Sequence, residues 1–226
     1  MPKETFFNLP EDKRKTILSN AIDEFSANPY HTASISKIVR QSEIAKGSFY
    51  QYFDDKRDLY HYLIQISLAD KNKLAEQLPP PDTSSDLFGY LRWQFFLAIQ
   101  FEYLCPKYSQ ILYRAFIEER FHAHNNEGLE QLDISDLFKP LLRQGIIFGN
   151  IAPWLDTELG TFILEITYFH LGSYFLNHSE TKTNQNKDLN LLDNDEIQQR
   201  LDNLMDIIEA GMKRDPEQRR TFYNKD

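Results

Sequence analysis

Between Ser34 and Lys56 the chain reads SISKIVRQSEIAKGSFYQYFDDK, and no other stretch constrains the fold as tightly. Ser34 is placed to cap a helix over Ile35–Gln41, with Ile35, Ile38 and Val39 on one inward face. Ser42–Ile44 makes a turn, and a second short helix is predicted over Ala45–Tyr52 with Phe49 and Phe53 turned toward a core. Helices this short are not stable alone in water, so both must bury their apolar faces against a neighbour. That neighbour lies just upstream. Ile17, Leu18, Ala21, Ile22 and Phe25 recur at three- and four-residue spacing over about Pro10–Ala27. Pro10 suits a first helical turn, Glu11 and Asp12 favour the positive end of the helix dipole, and Asn28-Pro29 ends it.

The remainder is punctuated as helices throughout. Asp54-Asp55 caps a helix over Lys56–Gln77, which Pro79–Pro81 stops. Asp82–Ser85 caps an aromatic helix over Asp86–Leu104, Cys105-Pro106 breaks it, and Pro106 starts the next helix to His122. A polar loop at His124–Gly128, a helix over Ser135–Phe148, a turn at Gly149–Pro153 and a long apolar helix over Thr157–Asn177 follow. His178–Asp195 is polar and reads as a loop, and Glu196–Met212 is a last amphipathic helix. No internal repeat is visible at a period of roughly 20–50 residues. With only 8 Gly and no β-branched alternation, the expected class is all-α. The expected organisation is an N-terminal three-helix unit over 11–71, its helix-turn-helix at about 34–53, and a larger helical domain over 82–215.

Composition narrows the setting. No run of about 18 apolar residues exists to cross a membrane, and MPKETFFNLPEDKRK lacks the apolar core of a signal peptide. The lone Cys105 has no partner for an intramolecular disulfide and suits a reducing compartment, so a cytoplasmic protein is expected. The net charge of −9 is unpromising for a phosphate-binding surface. It is unevenly placed, however. Residues 1–60 hold 9 Lys+Arg and 9 Asp+Glu, whereas residues 61–226 hold 16 against 25. The N-terminal unit is therefore neutral, and modest non-specific affinity with dependence on dimerisation is expected.

The second short helix divides its residues by job. Ala45, Gly47 and Ser48 are small and allow close approach to a duplex, while Lys46 can reach a base edge or a phosphate. Tyr50 and Gln51 can contact phosphate or base edges, Gln being a bidentate partner for adenine. A helical hairpin buried in a core is the plain alternative, but Lys46-Gly47-Ser48 is a poor choice for stability alone, since Gly costs about 1 kcal/mol relative to Ala. Here the chain resembles the TetR family of bacterial transcriptional regulators. The resemblance rests on Ser34, Ile38, Lys46, Gly47, Ser48, Phe49, Tyr50, Tyr52, Phe53, Lys56 and Leu59, together with Ile17, Leu18, Ala21 and Phe25. It covers residues 11–71. Two positions depart from the family pattern: Glu43 stands where Gly is usual, asking a non-Gly residue for φ > 0, and Ala45 replaces a hydroxyl cap. The candidate DNA-binding set is Ser34, Ser36, Ala45, Lys46, Gly47, Ser48, Tyr50, Gln51, Tyr52 and Lys56.

For the C-terminal domain the resemblance implies a cavity for a small hydrophobic or aromatic effector. Candidates to line it are Trp93, Phe96, Gln100, Tyr103, Tyr113, Phe116 and Tyr168, although an aromatic stripe at helical spacing is also how a plain core is built. The last two helices carry more apolar surface than one subunit readily covers, which suits a two-fold four-helix interface. Its candidates are Leu159, Phe162, Ile163, Ile166, Phe169, His170 and Tyr174 with Ile197, Leu201, Leu204, Met205 and Ile208. Glu118 and His122 share a helical face near Glu119 and His124, but two groups do not make a metal site, and a solvated helix end is the preferred reading. Cys105 is as compatible with an inert buried thiol as with a sensor. The resulting expectation is a homodimeric DNA-binding regulator, a repressor released from a pseudo-palindromic operator by an effector, and associated with the nucleoid when bound. Control by a protein partner is the alternative. An all-α enzyme has no triad or phosphate loop to stand on, and no cofactor, metal or membrane partner is expected.

Overall fold

The computed structural model describes residues 1–81, 86–122 (side chains to 116), 137–178, 191 and 194–213. Every regular element among them is a helix: α1 (Glu4–Phe7), α2 (Glu11–Ala27), α3 (Ile35–Gln41), α4 (Lys46–Tyr52), α5 (Lys56–Gln77), α6 (Leu87–Leu104), α7 (Pro106–His122), α8 (Lys139–Ile147), α9 (Thr157–His178) and α10 (Asp195–Lys213). The predicted caps at Asp82–Ser85 and the polar segments at His124–Gly128 and 179–190 lie outside the described residues.

The chain divides into two units, the first holding α1–α5 together with α7. Its centre is aromatic. Phe25 of α2 stacks on Tyr60 of α5 at 5.0 Å, and Ile17, Ala21, Leu59, Leu63 and Ile64 are fully buried around them. A side chain the size of Phe or Leu contributes about 1.5–3 kcal/mol when so buried. Helix α7 packs on α2 and α5 and buries Ile111, Leu112, Ala115 and Phe116. Arg114 of α7 donates from its guanidinium to the carbonyls of Ser26 and Ala27, each at 3.1 Å, satisfying acceptors that the last turn of α2 leaves open. This compact unit reaches from α1 through α5 and takes in α7.

The second unit holds α6, α8, α9 and α10. Phe95, Ile99, Phe138, Leu142, Leu164 and Phe175 form its core, with Tyr168 edge-on to Phe138 at 5.6 Å. Helices α6 and α9 meet closely at Gly172, where a Cβ would stand 2.6 Å from that of Glu102, so no larger residue fits. Arg92 ties α6 to α10 through Asp202 at 2.6 Å and Gln198 at 2.8 Å.

One turn geometry occurs in both units. After α8, Gly149 takes φ 78°, the Gly149 N–H donates to Ile146 O at 3.2 Å, and the Asn150 N–H donates to Gly145 O at 2.8 Å. This paired arrangement is the Schellman motif, whose left-handed residue is usually glycine. After α3 the same pattern recurs with Glu43 in the left-handed place, at φ 53°. The Glu43 N–H donates to Arg40 O at 3.2 Å and the Ile44 N–H to Val39 O at 3.1 Å. The strain anticipated for Glu43 is therefore present.

Candidate nucleic-acid interface

The helix-turn-helix is built as α3, the Glu43 turn and α4. Ser34 caps α3, its hydroxyl accepting the Lys37 N–H at 3.3 Å. Beneath the cap lies Glu24 of α2, only 3% exposed. One of its oxygens accepts the Ser34 N–H at 2.9 Å and the other pairs with the Lys37 ammonium at 2.6 Å. Burial pushes the Glu24 carboxyl up, but the Lys37 hydrogen bond, the Ser34 N–H and the Lys37 charge together outweigh it and hold it below its ordinary value. The turn is held from α2 as well, Asn20 donating to the Ser42 hydroxyl at 3.0 Å. Phe49 of α4 and Phe53, which caps its C-terminal end, then plug into the core, both fully buried.

With that face spent, α4 turns Lys46, Gly47, Tyr50 and Gln51 outward, and Tyr50 is 47% exposed. A Cβ built on Gly47 meets no atom within 4 Å, so nothing inside the chain excludes alanine there. Ser36 and Ala45 are also exposed, and Ser34 and Ser48 are half-buried. Ala45 stands at the N-cap with no side-chain cap hydrogen bond, as its missing hydroxyl dictates.

Two members of the expected set are placed otherwise. Tyr52 is buried at 8% exposure with its ring 6.2 Å from Phe6, because its position on α4 points inward with Phe49. The Lys56 ammonium donates to the carbonyls of Tyr30 (2.7 Å), His31 (3.2 Å) and Ala33 (3.2 Å) and sits 4.6 Å from the centre of the Tyr30 ring. It braces the loop ahead of α3 rather than reaching outward. Lys3, which periodicity does not single out, sits beside α4 with its ammonium 3.0 Å from Tyr50 O.

In the second unit, Trp93 and Phe96 line an open cleft of about 330 Å³ together with Leu78, Pro79, Pro81, Gly89 and Arg92. The Trp93 indole N–H donates to Leu78 O at 2.6 Å, fixing the ring at the cleft wall. Gln100 lies one turn further along the same face of α6, 8% exposed, with its amide oxygen lacking a hydrogen-bond partner among the described residues. Tyr103 is half-buried against the core, and Tyr168 is core, 6.4 Å from Phe95. Tyr113 and Phe116 belong to α7 and hence to the first unit. Of the effector candidates, Trp93 and Phe96 line this cleft, and Pro and Gly positions that no aromatic pattern flags complete it.

The α9 candidates and the α10 candidates also part company. Leu159, Phe162, Ile163 and Tyr174 stand 56%, 37%, 51% and 52% exposed, with His170 exposed and Ile166 and Phe169 half-buried beside them. On α10, Ile197, Leu201 and Met205 are buried in the core of the second unit, and Leu204 and Ile208 pack partly against it. Leu204 and Ile208 stay half-buried and Ile207 beside them is 71% exposed, so part of the apolar surface of α10 remains open.

Burial, and then the charge of Asp70, raise the Cys105 thiol above its ordinary value, which disfavours the reactive thiolate. No cluster of three metal-ligating side chains occurs among the described residues. Glu118, Glu119, His122 and His124 fall outside the described side chains. No helix among the described residues is long and apolar enough to cross a membrane.

Comparison with known proteins agrees with this architecture. Residues 17–63 match the family of bacterial regulatory proteins described as tetR, and residues 85–213 match the tetracyclin repressor-like C-terminal domain. A TetR family transcriptional regulator from Chloroflexus aurantiacus has a solved structure similar to 95% of this chain and 100% of that one, at 35% identity and a TM-score of 0.75. The uncharacterised regulator YdgC of Bacillus subtilis is 36% identical over 67 residues, which is 30% of this chain and 34% of that protein. FadR of Bacillus subtilis, solved in complex with stearoyl-CoA, shares the fold at 16% identity and a TM-score of 0.55, over 88% of this chain and 98% of that one. With a helix-turn-helix on an all-α scaffold and matches running through both units, the chain belongs to the TetR family of bacterial transcriptional regulators.

Proposed function

We propose that this regulator is a homodimeric repressor that reads a pseudo-palindromic operator through α4 and leaves it when a small apolar or aromatic effector binds the second unit. It works in the cytoplasm, at the nucleoid when bound. The observation that carries the DNA reading is Gly47. Glycine in a helix costs about 1 kcal/mol against alanine, and the chain leaves open space where the methyl group would go. The room is kept for something outside the chain, and Lys46, Tyr50 and Gln51 flank it. Two such helices on a two-fold axis read major grooves about 34–36 Å apart.

The exposed apolar face of α9 supports the two-fold contact, since surface of this kind marks an interface. The cleft at Trp93 and Phe96 supports effector binding, and stearoyl-CoA in the FadR structure favours an acyl-bearing ligand among apolar candidates. A ligand that prefers one arrangement of the dimer lowers operator affinity by its differential binding.

The test starts from a duplex enriched by the wild-type protein from a random library. Lys46→Ala and Tyr50→Ala are each expected to cost about 1–3 kcal/mol of duplex affinity, roughly 5- to 150-fold, with the melting temperature unchanged. Unaltered affinity in both variants would remove α4 from the interface.

A further inference from the structure

The carbonyl end of the recognition helix is finished by residues outside the helix-turn-helix. A seven-residue helix leaves its last carbonyls without partners in the helix, and one this short holds its shape only through outside contacts. In α4, Phe49 O takes the Phe53 N–H at 2.9 Å. The next three carbonyls are all taken by the segment ahead of α2. Tyr50 O accepts from the Lys3 ammonium at 3.0 Å, Gln51 O accepts from the Thr5 hydroxyl, and Tyr52 O accepts from the Lys3 N–H at 2.8 Å. The Lys3 ammonium also pairs with Asp54 at 2.8 Å, just past the negative end of the helix dipole.

The segment is itself anchored. Phe6 is fully buried, with its ring 4.9 Å from Phe53 and 6.0 Å from Tyr62. One aromatic plug thus holds one side-chain ammonium, one hydroxyl and one backbone N–H against successive carbonyls. The outward residues Lys46, Gly47 and Tyr50 lie on the same two turns, so whatever fixes the far end of α4 fixes their aim.

From this we infer that Lys3 and Thr5 are positioning residues for DNA recognition, clamping the carbonyl end of α4 so that its outward side chains meet the duplex in one pose. The inference rests on the reading of α4 as the recognition helix. Lys3 acts through the helix and not on the phosphates, which is the point an experiment can separate.

Thr5→Val removes the hydroxyl at nearly constant shape, and Thr5→Ser restores it. Lys3→Met removes the ammonium and keeps the backbone N–H and the stem. Using the duplex enriched by the wild-type protein, Thr5→Val and Lys3→Met are each expected to weaken binding about 3- to 10-fold, the effect of one hydrogen bond. Melting temperature is expected to fall by no more than about 2–4 °C, Thr5→Ser to return the affinity, and the dependence of log K on log salt to keep its slope. A direct phosphate contact would instead lower that slope by about 0.9 for each Lys3 lost. Unchanged affinity, a fallen slope in Lys3→Met, or no rescue by serine overturns the inference. If the wild-type protein enriches no duplex, it is the DNA reading that has failed. The clamp is then decided by amide exchange over Ser48–Phe53: faster exchange in Thr5→Val upholds it, and unchanged exchange overturns it.

Discussion

Helices α4 and α9 each keep one face out of the core, and the two faces differ in kind. On α4 the outward residues are Lys46, Gly47, Tyr50 and Gln51, a mixture of cation, bare backbone and hydrogen-bonding tips. On α9 they include Leu159, Phe162, Ile163 and Tyr174, from 37% to 56% exposed. Both faces forgo stability that the fold has room to take. Gly47 leaves out a methyl group that nothing obstructs, and α9 leaves in water side chains that stabilise by about 1.5–3 kcal/mol each when buried. Under the function proposed above, each of these surfaces serves a partner. A polar face with a gap suits a duplex, and an apolar one suits a second protein surface.

The comparison breaks most visibly on α9. If α9 carries the proposed two-fold contact, Ile163→Asp, which puts a charge in its outer face, is expected to halve the mass measured by sedimentation relative to the wild type. Leu201→Ala on α10, fully buried in its own protomer, is expected to cost about 2–5 kcal/mol of stability at unchanged mass. If Leu201→Ala alters the mass and Ile163→Asp does not, the assignment of the two helices is reversed.

A smaller effect is expected at Glu24, which underlies the cap of α3. Glu24→Gln removes a buried charge from Lys37 and is expected to cost about 1–3 kcal/mol by thermal denaturation. Because the folded-state carboxyl is held below its ordinary value, its contribution is full above the unfolded-state pKa. It is lost as the pH falls through the folded-state value, so the wild type and Glu24→Gln should converge in acid and diverge toward neutrality. A gap that stayed constant between neutral pH and strongly acid pH would refute the ion pair's role.

Gly47→Ala sharpens the contrast further, since stability and function should move in opposite directions. It is expected to stabilise the fold by up to about 1 kcal/mol while weakening duplex binding. A variant that is both more stable and equally tight would mean that the space at Gly47 serves no partner. The smallest change is expected at the paired turns. Glu43→Gly relieves the left-handed residue and should raise stability by about 0.5–1 kcal/mol, whereas Gly149→Ala imposes the same strain and should lower it.

Much of this could be read from residue order. Pro79–Pro81 and Cys105-Pro106 bracket helices whose observed limits, Lys56–Gln77 and Pro106–His122, coincide with those expected. Ser34 had to cap something, and Glu43 had to go left-handed if the two short helices were to turn at that point. Helix α1 was not legible, because four residues carry no periodicity and Glu4–Phe7 is held by the burial of Phe6 against α4 and α5. The surroundings of Tyr52 and Lys56 were not legible for a related reason. Residue type permits a phosphate contact, but packing had already committed the ring to Phe6 and the ammonium to three carbonyls.

The sequence by itself determined the helices, their limits and the helix-turn-helix with its outward Lys46-Gly47-Ser48, because caps, prolines and apolar spacing act within a few residues of chain. Tertiary structure alone decided the larger allegiances. Helix α7 packs on α2 and α5 in the first unit, and Ile197, Leu201 and Met205 of α10 are buried in the core of the second. The outer face of α9 is left over. That last distinction is invisible in the order of residues, since α9 is apolar on both sides. Which side is inside depends on where α6 packs, most closely at Gly172.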